Sequence, residues 1–202
     1  MKLVILTKPT FFVEEDKILT SLFDEGLDNL HLCKPASAPL YSERLLTLLS
    51  DDAYDKITVH GHFYLKEEYK LRGIHLDRGE EDMPQGYRGH FSTTCHSMDE
   101  LRNMGRKADY VFLAHTFGGK ADADGSQAYS AAELQEAAGQ GLIDKRVYAY
   151  GGVGLDTIAM AKDLGFGGVV VGDDLWNRFD IHHQQDYKDL MAHFERLRKM
   201  VG

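Results

Sequence analysis

The sequence predicts a (β/α)₈ barrel, one domain over residues 1–202. Three observations lead there. Short apolar runs alternate with amphipathic stretches along the whole chain, the pattern of parallel βαβ units. There are eight such runs, which suits a closed barrel better than an open sheet. The last two, Val147–Tyr150 and Gly168–Val171, both stop at glycine, in Gly151-Gly152 and in Gly172. Glycine at a strand end lets backbone N–H groups approach an anion, and a following helix adds its positive N-terminal dipole. In this fold phosphate is often held after strands seven and eight, so Gly151, Gly152 and Gly172 are candidate phosphate-binding residues. A plain turn requirement is the alternative.

In order, the expected strands are Leu3–Thr7, Asp28–Cys33, Ile57–His60, Gly73–Leu76, His90–Thr94, Tyr110–Ala114, Val147–Tyr150 and Gly168–Val171. Helical periodicity falls on Glu14–Glu25, Ser42–Leu49, Lys66–Leu71, Met98–Met104, Ser130–Gly139, Leu155–Leu164 and Tyr187–Met200. Asp77–Tyr87, with four acidic residues, a proline and two glycines, reads as an irregular turn in place of the fourth helix. Phe117–Gln127 lacks apolar periodicity and is long for a βα loop, so it reads as a lid or a loop tip without a role. A barrel of this type usually takes about 250 residues, so the loops must be short.

The net charge of −9 carries no basic stripe, which argues against nucleic acid. It leaves room for a phosphorylated small molecule, which feels the field of its pocket. Two cysteines, Cys33 and Cys95, make no disulfide framework. The N-terminal run Met1–Leu6 is too short for a signal sequence, and no run approaches 18 consecutive apolar residues. A soluble cytoplasmic protein with no membrane partner is expected.

Histidines gather at the strand ends: His31, His60, His62, His75, His96 and His115. His115 directly follows an expected strand and can both remove and deliver a proton near neutral pH. Capping the Thr116 loop is its alternative role. His60-Gly61-His62 invites a zinc reading, with Gly172-Asp173-Asp174 the only late acidic candidate. Asp173 would repel a phosphate dianion unless it caps the following helix with its side chain turned away.

Leu30-His31-Leu32-Cys33-Lys34, Gly73-Ile74-His75-Leu76, Thr94-Cys95-His96-Ser97-Met98-Asp99-Glu100, Ala108-Asp109-Tyr110-Val111-Phe112, Tyr150-Gly151-Gly152-Val153 and Gly168–Gly172 stand in a specific order and spacing. In these segments the chain resembles the thiamine phosphate synthase and thiazole tautomerase superfamily over nearly its whole length. The resemblance implies a (β/α)₈ barrel, usually a homodimer, holding thiazole phosphate at the glycine loops. The synthase branch joins hydroxymethylpyrimidine diphosphate to thiazole phosphate and releases diphosphate, with Mg²⁺. It carries Gln-Leu-Arg-Glu-Lys after strand two and Asn-Asp-Arg after strand three. This chain has Gly61 at the magnesium Asp position, Pro35 at the Lys position and His62 at the Arg position. A synthase lacking these groups would need replacements: Lys34, Lys120 and several histidines could supply part of the charge, and no carboxylate clearly replaces the metal ligand. The tautomerase branch carries histidine at the His31 position, can carry glycine at the Gly61 position, and places a catalytic histidine in the context of Ala108–His115.

The resemblance therefore implies a tautomerase-like isomerase of thiamine biosynthesis, with His115 catalytic and no cofactor. His31, Lys34, His60, His62, Thr94, Thr116, Gly151, Gly152, Gly172 and Asp173 are the expected substrate-binding residues, and no metal ligand is assigned. The alternatives are a synthase using Mg²⁺ and a non-catalytic binder of a phosphorylated ligand.

Overall fold

A computed structural model describes residues 1–104, 106–118, 128–180 and 186–202. The chain forms a closed parallel barrel in sequence order. Its strands are β1 (Lys2–Leu6), β2 (Leu30–Cys33), β3 (Ile57–His60), β4 (Gly73–Leu76), β5 (Phe91–Cys95), β6 (Tyr110–Leu113), β7 (Val147–Tyr150) and β8 (Gly168–Val171). The barrel closes where Lys2–Ile5 pair with Gly168–Val171. The helices are α1 (Glu15–Asp24), α2 (Pro39–Leu48), α3 (Tyr64–Glu68), α4 (Met98–Met104), α5 (Ala131–Gly139), α6 (Ile158–Asp163), α7 (Asp173–Trp176) and α8 (Lys188–Val201). None of these is long and apolar enough to cross a membrane.

Side-chain alternation divides the apolar residues into two cores. Outward residues such as Ile57, Val59, Ile74 and Val169 pack under the helices, meeting Ile18, Leu22, Phe194 and Leu197. Inside the barrel, Val4, Tyr110, Phe112, Tyr148 and Val170 form a second cluster. On the β2–β5 side the fully buried residues include polar His31, Thr58, His75 and Ser92. A barrel interior half apolar and half polar is unusual for a fold whose lumen is packed mainly by branched aliphatics.

Helix ends follow local chemistry. The Ser130 and Glu133 side chains close a capping box on α5, and proline begins α2. The third helix is shorter than Lys66–Leu71 and ends before Lys70, whose left-handed backbone (φ 54°) breaks the run. The sixth starts at Ile158 rather than Leu155, because Thr157 Oγ1 turns back onto the Gly152 and Gly154 carbonyls. Asp77–Tyr87 holds only a 3₁₀ turn, Gly79–Asp82. Two short elements were not expected, a 3₁₀ helix at Asp51–Lys56 and α7. α7 buries Trp176, whose indole N–H donates to the Leu6 carbonyl at 2.7 Å across the β8–β1 seam.

Candidate active site

A cavity of about 680 Å³ opens at the carboxyl ends of the strands, where this fold carries its active sites. Of the candidates, Thr94, His115, Gly151, Gly152, Gly172 and Asp173 line it.

His115 follows β6 with a left-handed backbone, φ 57°. Strained backbone of this kind at a strand end is characteristic of functional positions. Its neighbour across the loops is Gly151 (φ 92°), where a Cβ would fall 3.0 Å from the His115 amide nitrogen and 2.7 Å from the Gly118 carbonyl oxygen. Gly152 (φ 67°) is as confined, with the Phe117 carbonyl 2.7 Å from its Cβ position. These two glycines thus let the β7 loop press against the backbone after β6. Gly172 differs: its φ is negative (−123°), and a Cβ there would meet nothing nearer than Leu6 at 3.9 Å. Asp173 opens α7, and no side chain caps that helix, so the capping role expected for Asp173 is not taken up.

The other candidates are held elsewhere, each for a physical reason. Lys34 is buried in an ion pair with Glu15 (2.5 Å), and its ammonium also donates to the Thr10 carbonyl. It does not reach the cavity as a phosphate-binding cation. Thr116 is fully buried and bonds the Leu113 carbonyl and the Tyr150 amide, which makes it a loop brace. His60 and His62 do not share a face. The chain turns at Gly61 and His62 (φ 69° and 46°), and His62 Nε2 bonds the Ser37 carbonyl instead. His31 points into the barrel and is completely buried, as is His75. Lys120 and most of Phe117–Gln127 lie outside the described residues.

His31, His60 and His75 meet beneath the cavity floor. Each has a ring nitrogen within 4.8 Å of the others, the spacing a metal would need. The rings of His60 and His75, however, are stacked 4.2 Å apart at 20°. Lone pairs lying in near-parallel planes run side by side and do not converge on one ion. Hydrogen bonds occupy the nitrogens instead: His31 Nδ1 to His60 Nε2 (2.9 Å), His31 Nε2 to the Tyr110 hydroxyl (2.6 Å), and His60 Nδ1 to Asp77 (3.0 Å). His75 bonds the Ser92 and Thr94 hydroxyls. Burial holds His31 and His75 well below the usual histidine range, with the His60 charge adding to it. Burial also disfavours charge on His60. Hydrogen bonds to Asp77 and Cys33, with the Asp77 charge, outweigh it and lift His60 to about 9.

Sequence reasoning passed over Asp77 and Asp156 and named Asp174 only for the zinc reading, yet all three line the cavity. Asp77 was legible in principle: it stands two residues beyond the inward-facing His75, so alternation carries it to the mouth. Asp156 and Asp174 both have Oδ1 3.2 Å from the Cβ position of Gly154. Among the described residues, no lysine or arginine lines the cavity.

The family model for thiamine monophosphate synthase matches residues 46–175, well over half of the chain. The chain belongs to the thiamine monophosphate synthase family. It is 48% identical to a thiamine phosphate pyrophosphorylase from Bacteroides thetaiotaomicron, covering 99% of this chain and 97% of that one with a TM-score of 0.89. A thiamine phosphate pyrophosphorylase from Pyrococcus furiosus shares the fold at 20% identity, with a TM-score of 0.73 over 99% of this chain and 95% of that one. None of the curated proteins matches. The family model is named for the synthase and the 48% identical relative for the pyrophosphorylase, which favours the synthase alternative over the isomerase that the active-site motifs imply.

Proposed function

We propose that this protein is a thiamine phosphate synthase, joining hydroxymethylpyrimidine diphosphate to a thiazole phosphate. The observation that carries this reading is the 48% identity, over 99% of the chain, to a protein named for that activity. The cavity supports it. About 680 Å³ is ample for a ligand site and leaves room for two small substrates side by side. The open backbone at Gly172 and the β7 loop would hold the thiazole phosphate. Leu6, Val170 and Trp176 form an apolar wall that limits water.

The departing diphosphate needs positive charge. Asp156 and Asp174 line the cavity, each with Oδ1 3.2 Å from the Cβ position of Gly154. Carboxylate oxygens are the hard donors that Mg²⁺ takes, although Asp174 is also held by His193 at 2.6 Å and Arg178 at 3.7 Å. Bound there, Mg²⁺ would neutralise phosphate oxygens, including against Asp173. His96 and His115 also line the cavity, as imidazoles that can orient a phosphate oxygen.

A second reading, thiazole tautomerase, is favoured by one observation. His115 stands in the cavity beside Gly151, while no lysine or arginine among the described residues faces a diphosphate. There His115 would move the ring proton that aromatises a thiazole carboxylate phosphate.

The deciding experiment supplies purified protein with both phosphorylated precursors and Mg²⁺. Mg²⁺-dependent thiamine phosphate formation is expected. No product beside an active control synthase would overturn the reading and turn the test to tautomerisation, with His115→Ala as its negative control.

A further inference from the structure

The buried polar half of the barrel is organised as a chain with two consistent directions. In one, the Asn29 amide donates to the Tyr110 hydroxyl (3.4 Å), Tyr110 donates to His31 Nε2, His31 Nδ1–H donates to His60 Nε2, and His60 Nδ1–H donates to Asp77. Every histidine is then neutral and every nitrogen is satisfied. In the other, His60 carries a second proton on Nε2 and donates it to His31 Nδ1. His31 must then carry its own proton on Nε2 and donate to Tyr110, whose hydroxyl proton needs a new acceptor. Asn29 Oδ1 is buried and makes no hydrogen bond. Rotating that amide by half a turn brings Oδ1 to the position facing Tyr110. The orphaned atom is the acceptor that the second direction requires.

The two ends of the chain differ. Asn29 and Tyr110 are buried. At the other end the Asp77 side chain is 58% exposed, against 6% for His60, and Asp77 lines the cavity. The groups facing His60 are His31 and Cys33 from β2, and His75 and Asp77 from β4 and its loop.

We propose that Asp77 and His60 form a second acid/base site of this cavity, in which Asp77 exchanges a proton with the ligand and His60 stores it. When the site acts as an acid, His60 Nδ1–H passes to Asp77 Oδ1 and Asp77 protonates a basic atom of the ligand. His60 is left neutral with Nε2–H toward His31, and one solvent proton restores it. Asp77 is the catalytic group; His60, His31, Tyr110 and Asn29 position and charge it. The ligand chemistry is a basic nitrogen, a carbanion or an oxyanion on the β3–β4 side. The inference shares with the proposed function only the assumption that this cavity is the ligand site.

Histidine side-chain NMR from pH 5 to 10 tests the store directly, with His60→Gln assigning the resonance. One histidine titrating near 9 is expected. Asp77→Asn should lower that value by at least one unit, a tenfold loss of proton affinity. Tyr110→Phe, which keeps the ring and removes the distal acceptor, should lower it as well. No histidine titrating above 7.5, or a value unmoved by Asp77→Asn, would overturn the proposal. So would one equivalent of Zn²⁺ shifting His31, His60 and His75 together, which would mark a metal centre. In the active reaction, Asp77→Asn should cut kcat about 100-fold with KM held, and Tyr110→Phe should move the alkaline limb of the pH profile downward; unchanged kcat in Asp77→Asn would refute the catalytic role. A wild type active in neither reaction would remove the proposed function, while the titration would still decide the relay.

Discussion

The Lys34–Glu15 pair shows how much a single long-range contact changes a residue's meaning. From the sequence, Lys34 is a cation at a strand end, well placed to meet a phosphate. In the fold, Glu15 at the start of α1 claims it, and Phe11 covers it with its ring 4.5 Å from the ammonium. Burial raises the Glu15 carboxyl and lowers the Lys34 ammonium despite their mutual attraction, so desolvation outweighs the pairing on both sides. Glu15 Oε2 lacks a hydrogen bond altogether. Removing one partner strands a buried charge, while removing both strands nothing. Lys34→Met should therefore lower the unfolding free energy by about 3–5 kcal/mol, and Glu15→Leu combined with Lys34→Met should return it to within about 1 kcal/mol of wild type or above. Urea titrations of the single and double variants check this. A double variant no better than the single would show that the pair itself stabilises the fold.

At the scale of elements, all eight strands were legible, because inside–outside alternation under a helical layer leaves a period-2 signal that composition does not blur. Helix limits were less so: Lys70 and Thr157 end or delay helices through backbone conformation and a hydroxyl turn, neither of which has a hydrophobic signature. The site was half legible. Strand-end position found His115 and the glycines, whereas His31 and His60 were placed in the cavity when alternation puts them inside the barrel. The glycine loops also divide in a way that their shared residue type hides. Gly152→Ala must carry a left-handed φ and a Cβ against the Phe117 carbonyl, and should cost about 1–3 kcal/mol of stability. Gly172→Ala has neither problem. It should cost less stability than Gly152→Ala, yet weaken thiazole phosphate at least fivefold, since its methyl enters the space that a phosphate would approach. Calorimetric melting and titration separate the two effects, and equal affinity in Gly172→Ala would move the phosphate away from β8.

For the whole molecule, the histidine cluster ties folding to pH with opposite signs on the two sides of neutrality. His31 and His75 resist protonation in the fold and accept it freely when unfolded. Below about pH 6.5, the unfolded histidine value, the unfolded chain binds more protons, so stability falls as pH drops. The slope is about 1.4 kcal/mol per pH unit for each group that stays neutral in the fold, or roughly 3 kcal/mol per unit for the two. His60 works the other way. Its folded value near 9 lies above the unfolded one, so its contribution is complete below about pH 6.5 and is lost as pH rises toward 9. The expected profile is a maximum near pH 6.5, with a steeper fall on the acid side, where His90, also lowered by burial, adds to the slope. Urea unfolding at pH 5.5, 6.5 and 8.5 measures it. His60→Gln should flatten the alkaline limb and leave the acid limb in place, because the acid limb belongs to buried neutral imidazoles that remain. A profile whose alkaline limb survives His60→Gln would place that titration on another group and remove the charge from the barrel floor.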